Sequence, residues 1–163
     1  MIRNNCLYNI SSLPIFAFFI ILFAACNGSQ QPDIEASADN VFSAIEYDKV
    51  IAYDNNGEGA IEIIDKHGQL AKEIKKQIEL SNSQITRITN ALCDKSSYGG
   101  DIAACFDPHF GIVYYKANLP VAFVSICLDC NYLVSSINIP HSDVGFSDEG
   151  IQKIVDFEKE LNF

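Results

Sequence analysis

Two short segments hold the residues whose types and spacing could do chemistry. They read Cys105-Phe-Asp-Pro-His109 and Cys127-Leu-Asp-Cys130, with Cys93 upstream. Three chemistries fit this set. The first is structural cross-linking: four cysteines make two disulfides in an oxidising compartment, with three possible connectivities. Residues three apart on an extended strand lie about 10 Å from each other. A disulfide needs its Cα atoms within about 7 Å, so Cys127 reaches Cys130 only if Leu128 and Asp129 form a tight turn. Otherwise one of the two reaches Cys105 or Cys93. The second chemistry is metal binding. Cys105, His109, Cys127 and Cys130 offer three sulfurs and one nitrogen, a closed tetrahedral set for zinc, and soft thiolates suit copper(I) equally. The third is thiol redox work by Cys127-x-x-Cys130. That motif is activated at a helix N-terminus, whereas here strands flank it, and Asp107 and Asp129 disfavour a thiolate if they lie close.

Other catalytic signatures are absent from the chain. It has no phosphate loop, no His-Glu-x-x-His and no Gly-x-Ser-x-Gly. Asp107 and His109 flank Pro108 and read as turn residues. His67 falls in a turn and His141 in a loop. The expected role is therefore binding or structural rather than enzymatic.

The compartment is written in residues 13–26, Leu-Pro-Ile-Phe-Ala-Phe-Phe-Ile-Ile-Leu-Phe-Ala-Ala-Cys. The apolar run is shorter than the about 20 residues a membrane span needs, and it ends on small residues, as a secretory signal does. With Cys26 directly after Ala24-Ala25, it resembles a bacterial lipoprotein signal. That resemblance implies removal of residues 1–25, covalent lipid (palmitate) on Cys26, and a protein held to a membrane and facing an extracytoplasmic compartment of the envelope. Two or more acyl chains anchor firmly where one does not. Residues 26–38 are polar, small and proline-containing, which suits a tether. Residues 39–163 suit one globular domain. A chain starting at Val41 is expected to be as stable as one starting at Asn27.

Charge narrows the partners. After residues 1–25 are removed, 10 Lys and Arg stand against 21 Asp and Glu, a net charge of −11. Such a surface repels phosphate backbones, so no nucleic-acid partner is expected. No basic cluster draws it to anionic lipid. Asp54-Asn55-Asn56-Gly57-Glu58 lacks the spacing of a calcium loop and reads as a turn.

Elements follow from periodicity. Residues 41–53 read as a strand, with 60–64 returning beside it after the Asn55-Asn56-Gly57 turn. Residues 65–68 read as another turn, and 70–80 fit either a helix or a strand. Ser81 and Gln84 form a capping box ahead of a helix over 82–93, with Ile85, Ile88 and Leu92 as its stripe. Residues 94–101 read as a loop. The second half reads as a meander: strand 111–116, turn 116–120, strand 121–127 and strand 132–139. Val121, Phe123, Ser125 and Cys127 share one face of the middle strand, with Ala122, Val124 and Ile126 on the other. A last helix opens at Ser147-Asp148-Glu149, with Ile151, Ile154, Val155 and Leu161 as its buried stripe. The class is α+β: an antiparallel sheet packed with two amphipathic helices, one of them C-terminal.

A hairpin centred near Ala117-Asn118 pairs residues whose numbers sum to about 235. If the pairing extends past Gly111, Cys105 faces Cys130 and Pro108 faces Cys127. The expectation is a cluster of Cys105, Cys127 and Cys130, with a Cys105–Cys130 or Cys105–Cys127 bridge. Such a bridge closes a loop of about 25 residues and contributes about 3 kcal/mol.

Over residues 94–163 the chain also resembles a family of small bacterial envelope lipoproteins. Its pattern is Cys-aromatic-x-Pro-x-x-Gly-Ile followed by Ile-Cys-x-x-Cys-Asn. Cys105, Pro108, Gly111, Ile112, Cys127, Cys130 and Asn131 occupy that pattern here, and Gly145-Phe146-Ser147 with its helix is similar too. The resemblance implies an envelope location but no activity, because the family has none assigned.

Overall fold

The computed structural model describes residues 40–55, 62–72 and 74–163. The expected signal segment, Cys26 and the expected tether lie outside these residues, as does the expected Asn56-Gly57 part of the first turn. The described chain is α+β. Strands β1 (Lys49–Asn55), β2 (Ile74–Glu79), β4 (Phe110–Lys116), β5 (Leu119–Cys127) and β6 (Tyr132–Ser135) form one antiparallel sheet in the order β2-β1-β4-β5-β6. A second, two-stranded sheet joins β3 (Tyr98–Gly100) to β7 (Gly145–Phe146). Helices α1 (Asn82–Cys93) and α2 (Asp148–Glu160) complete the fold. No described helix is long and apolar enough to cross a membrane.

Each helix starts where its cap dictates. Ser81 accepts the Gln84 N–H while Gln84 reaches back to the Ser81 N–H, the reciprocal pair expected for α1. Ser147 caps α2, and Asp148 and Glu149 place negative charge at its positive end. The stripe of α2 runs through Ile154, Phe157 and Leu161, while Ile151 and Val155 are only half-buried. Both helices lie on one face of the sheet, where Val50, Ala52, Phe110, Ile112, Tyr114, Val124 and Ile126 join Ile88, Leu92, Ile154 and Phe157 in the main core.

The opposite face is covered by residues 62–72, and here the expected topology is corrected. The strand that follows β1 and pairs with it is β2, and the described part of the expected 60–64 strand, residues 62–64, does not join the sheet. Ile64 only bridges Leu70, and Ile63, Ile64 and Ala71 pack onto Tyr53 and Val113 instead. A two-faced sheet needs apolar cover on both sides, and the Ile63-Ile64 pair supplies it. The seat for Ile63 is specific. Gly111 pairs with Ser125 across β4 and β5. A methyl group on Gly111 would stand 2.6 Å from Ile63 Cγ1, so only glycine leaves room for that side chain. Beside it, the wholly buried Ser125 accepts the Ile63 N–H at 2.8 Å.

Two other elements are shorter than expected. Residues 41–44 form a 3-10 turn rather than strand, because the Asn40 side chain accepts the Phe42 N–H and caps it. The strand expected to run to Ile139 stops at Ser135, and the Ser135 and Ser136 hydroxyls turn to Phe123 O. The β4–β5 turn falls on Ala117 and Asn118, both at positive φ, the backbone a two-residue hairpin requires.

Candidate functional site

β5 ends at Cys127, and Leu128-Asp129 then turns the chain tightly, with the Asn131 N–H donating to Leu128 O at 3.0 Å. This turn brings the Cα atoms of Cys127 and Cys130 to 5.2 Å, and the two form a disulfide. Cys127 and Cys130 are 0 % and 1 % exposed. Backbone donors meet both sulfurs. The Cys130 N–H points at Cys127 Sγ at 3.2 Å, and the Asp107 N–H at Cys130 Sγ at 3.3 Å. Residues 101–109 thus run as a strap over the disulfide, tied a second time by the Ala103 N–H to Cys130 O at 3.0 Å.

Asn131 clamps the same corner. Its φ of +53° is tolerated by asparagine better than by most residues. From there its Nδ2 donates to Asp101 O (3.0 Å) and Phe146 O (2.9 Å), joining the strap to β7. Gly100 and Gly145 make room for it: a methyl group on either would stand 2.5 or 2.6 Å from that nitrogen.

The cysteines expected to cluster are partly brought together. Cys105 is exposed and unbonded, so the expected Cys105–Cys130 or Cys105–Cys127 bridge is corrected to Cys127–Cys130. The register explains this. Phe110 faces Ile126, and the β4–β5 ladder ends there, short of Cys105. His109 is exposed, and what it contributes is its carbonyl, which accepts the Asn55 N–H at 2.8 Å. Cys93 is buried at the end of α1, where its Sγ donates to Asn40 Oδ1 at 3.8 Å. Cys127 and Cys130 are spent on each other, and no group of three or more His, Cys, Asp and Glu able to hold a metal occurs among the described residues. Comparison with family models, curated proteins and solved structures yields no match.

A groove of about 370 Å³ lies between α1 and α2, and sequence reasoning did not find it. Ile88, Ala91 and Phe157 line it with apolar surface, and Arg87, Asp94, Lys153 and Asp156 supply its charge. Those charges are already engaged. Arg87 stacks over the Phe157 ring, 5.0 Å from its centroid, and pairs with Glu160. Lys153 pairs with Asp94 at 2.8 Å and Glu149 at 2.7 Å. The Lys153 ammonium, followed by the Ser96 N–H, holds the Asp94 carboxyl down at about 2. Asp156 accepts from Gln152 at 2.7 Å. The groove therefore favours apolar contact over recognition of a charge. Its only advance signal was the pair of amphipathic helices, because no residue type in it stands out locally.

Proposed function

We propose that this chain is a lipid-anchored protein of a bacterial cell envelope with a binding or structural role, related to the family of small envelope lipoproteins that its motifs resemble. Lipid on Cys26 would hold the domain at a membrane through the 26–38 tether. The observation that carries the reading is the buried Cys127–Cys130 disulfide in a chain bearing Ala24-Ala25-Cys26. Structural disulfides belong to exported proteins, and the lipoprotein-like signal supplies the export. The groove between α1 and α2 is the surface a ligand would use, since concave apolar sites with a few polar groups are where ligands bind.

The test is palmitate labelling with membrane fractionation in a bacterial host. The parent protein is expected to take up label and to sediment with membranes. Cys26→Ser is expected to lose the label and either to leave the membrane or to accumulate as uncleaved precursor. Label that survives Cys26→Ser would reject the reading.

A further inference from the structure

The strap bound to the disulfide carries a free thiol. Its two hydrogen bonds to Cys130 start from Ala103 and Asp107, and Cys105 sits midway, two residues from each. Two residues of chain reach about 7 Å; with the 3.3 Å bond from Asp107 to Cys130 Sγ, the Cα of Cys105 lies within about 10 Å of that sulfur. Residues 101–109 belong to no helix or strand, so no helical or sheet ladder fixes Cys105 between its two anchors.

Access singles out Cys105 as the attacker. Both disulfide sulfurs are shut from solvent, and the strap is part of what covers them. Cys93 is buried at the end of α1, whereas Cys105 is exposed. Thiol–disulfide exchange depends on which sulfur is approached and on how well the departing sulfur bears charge. The strap touches Cys130, which makes Cys130 the sulfur attacked and Cys127 the one that leaves. The Cys130 N–H already points at Cys127 Sγ at 3.2 Å, and a hydrogen bond to a developing thiolate stabilises it.

We infer that Cys105, Cys127 and Cys130 form an intramolecular exchange switch. The Cys105 thiolate attacks Cys130 Sγ, the Cys127–Cys130 bond breaks, a Cys105–Cys130 bond forms, and Cys127 departs as a thiolate. The proton lost by Cys105 is matched by the one Cys127 takes up. The number of disulfides is unchanged, so neither oxidant nor reductant is consumed. The switch converts a strap held by hydrogen bonds into one held covalently. It rests on the disulfide alone and stands whether or not Cys26 carries lipid.

Tryptic mapping reads the switch directly, because lysines separate the cysteines. Cleavage after Lys95, Lys116 and Lys153 places Cys105 in peptide 96–116 and both Cys127 and Cys130 in peptide 117–153. The folded, full-length protein is held near pH 8, trapped with excess N-ethylmaleimide, and then digested without reduction. Expected is a population of 96–116 disulfide-linked to 117–153, with the maleimide on Cys127, in material that runs as a monomer. Cys105→Ser is expected to abolish that linked pair completely. Peptide 117–153 carrying only its internal disulfide, with Cys105 always alkylated, would overturn the proposal. So would a link found only between two chains. Cys127→Ser gives an independent reading: mild oxidation with oxidised glutathione is expected to join Cys105 to Cys130, and failure to do so in folded protein refutes the geometry.

Discussion

Glu158 gives the domain a pH dependence opposite to that of most acidic side chains. It sits half-buried on α2, and burial, reinforced by the Asp54 carboxylate, pushes its carboxyl up to about 7. Below the ordinary glutamate value of 4.5 both folded and unfolded chains hold the proton and nothing is lost. Between there and about 7 the unfolded chain has released its proton while the folded chain retains it, so stability falls as pH rises. Above that range both forms are ionised and the whole cost is present. The rise from 4.5 to about 7 sets a ceiling of about 3.4 kcal/mol. Because part of the carboxyl reaches water, about 1–2 kcal/mol is the realistic figure. Glu158→Gln removes the charge and keeps the shape. Urea unfolding at a series of pH values is expected to show the variant more stable by about 1–2 kcal/mol near pH 8, a midpoint shift of about 0.5–1 M. The two proteins should converge near pH 4. A variant that matches the parent at every pH, or gains most in acid, would refute the reasoning.

Three further outcomes follow from single contacts. Gly111→Ala forces Ile63 from its seat and should cost about 1–3 kcal/mol in thermal or urea unfolding, with a smaller cost when Ile63→Ala is already present. Asn131→Ala loses both clamp bonds and strains a positive φ, for about 2–3 kcal/mol; Asn131→Gly should be milder because it restores the backbone freedom. Asn40 is buried, bonds Thr89 at 2.8 Å and caps the first turn, so a chain starting at Val41 should lose about 1–2 kcal/mol against one starting at Asp39. This last outcome reverses the expectation that Val41 is a harmless start.

What the sequence revealed was what local chemistry decides. The capping box fixed the start of α1, and the alternation along residues 121–127 correctly separated the core face from the Ile63 face. The hairpin turn and both helices follow from the same kind of signal. Hidden were the choices made between distant segments. Residues 60–64 read as the more apolar partner for β1, yet the largely polar 74–79 takes the sheet edge, while Ile63 and Ile64 cover the second face. The β3–β7 ladder spans Tyr98 to Phe146, too short and too far apart for any periodicity to show. The cysteine pairing failed for a related reason. The hairpin register was right to within one residue, yet extending it past Phe110 assumed a ladder that stops at the Phe110–Ile126 pair, and residues 105–109 run on as irregular chain without the turn expected around Pro108.

That corner also separates the cysteines by what the fold asks of them. Cys127 and Cys130 close the turn after β5, and Cys130 receives both strap contacts. Cys105 is exposed and makes no disulfide or hydrogen bond among the described residues. A disulfide closing so short a loop restricts the unfolded chain less than one closing about 25 residues, so its contribution is about 2 kcal/mol rather than about 3. Cys130→Ser is therefore expected to cost about 2 kcal/mol or more, since the strap contact at its sulfur changes as well. Cys105→Ser should stay within about 0.5 kcal/mol of the parent, as exposed sites do. The contrast is measured by thermal unfolding of both variants without added thiol. If Cys105→Ser cost as much as Cys130→Ser, the Cys105 side chain would hold the strap in place, and its position there would be explained by packing. Near-neutrality would mean that the fold does not require this thiol.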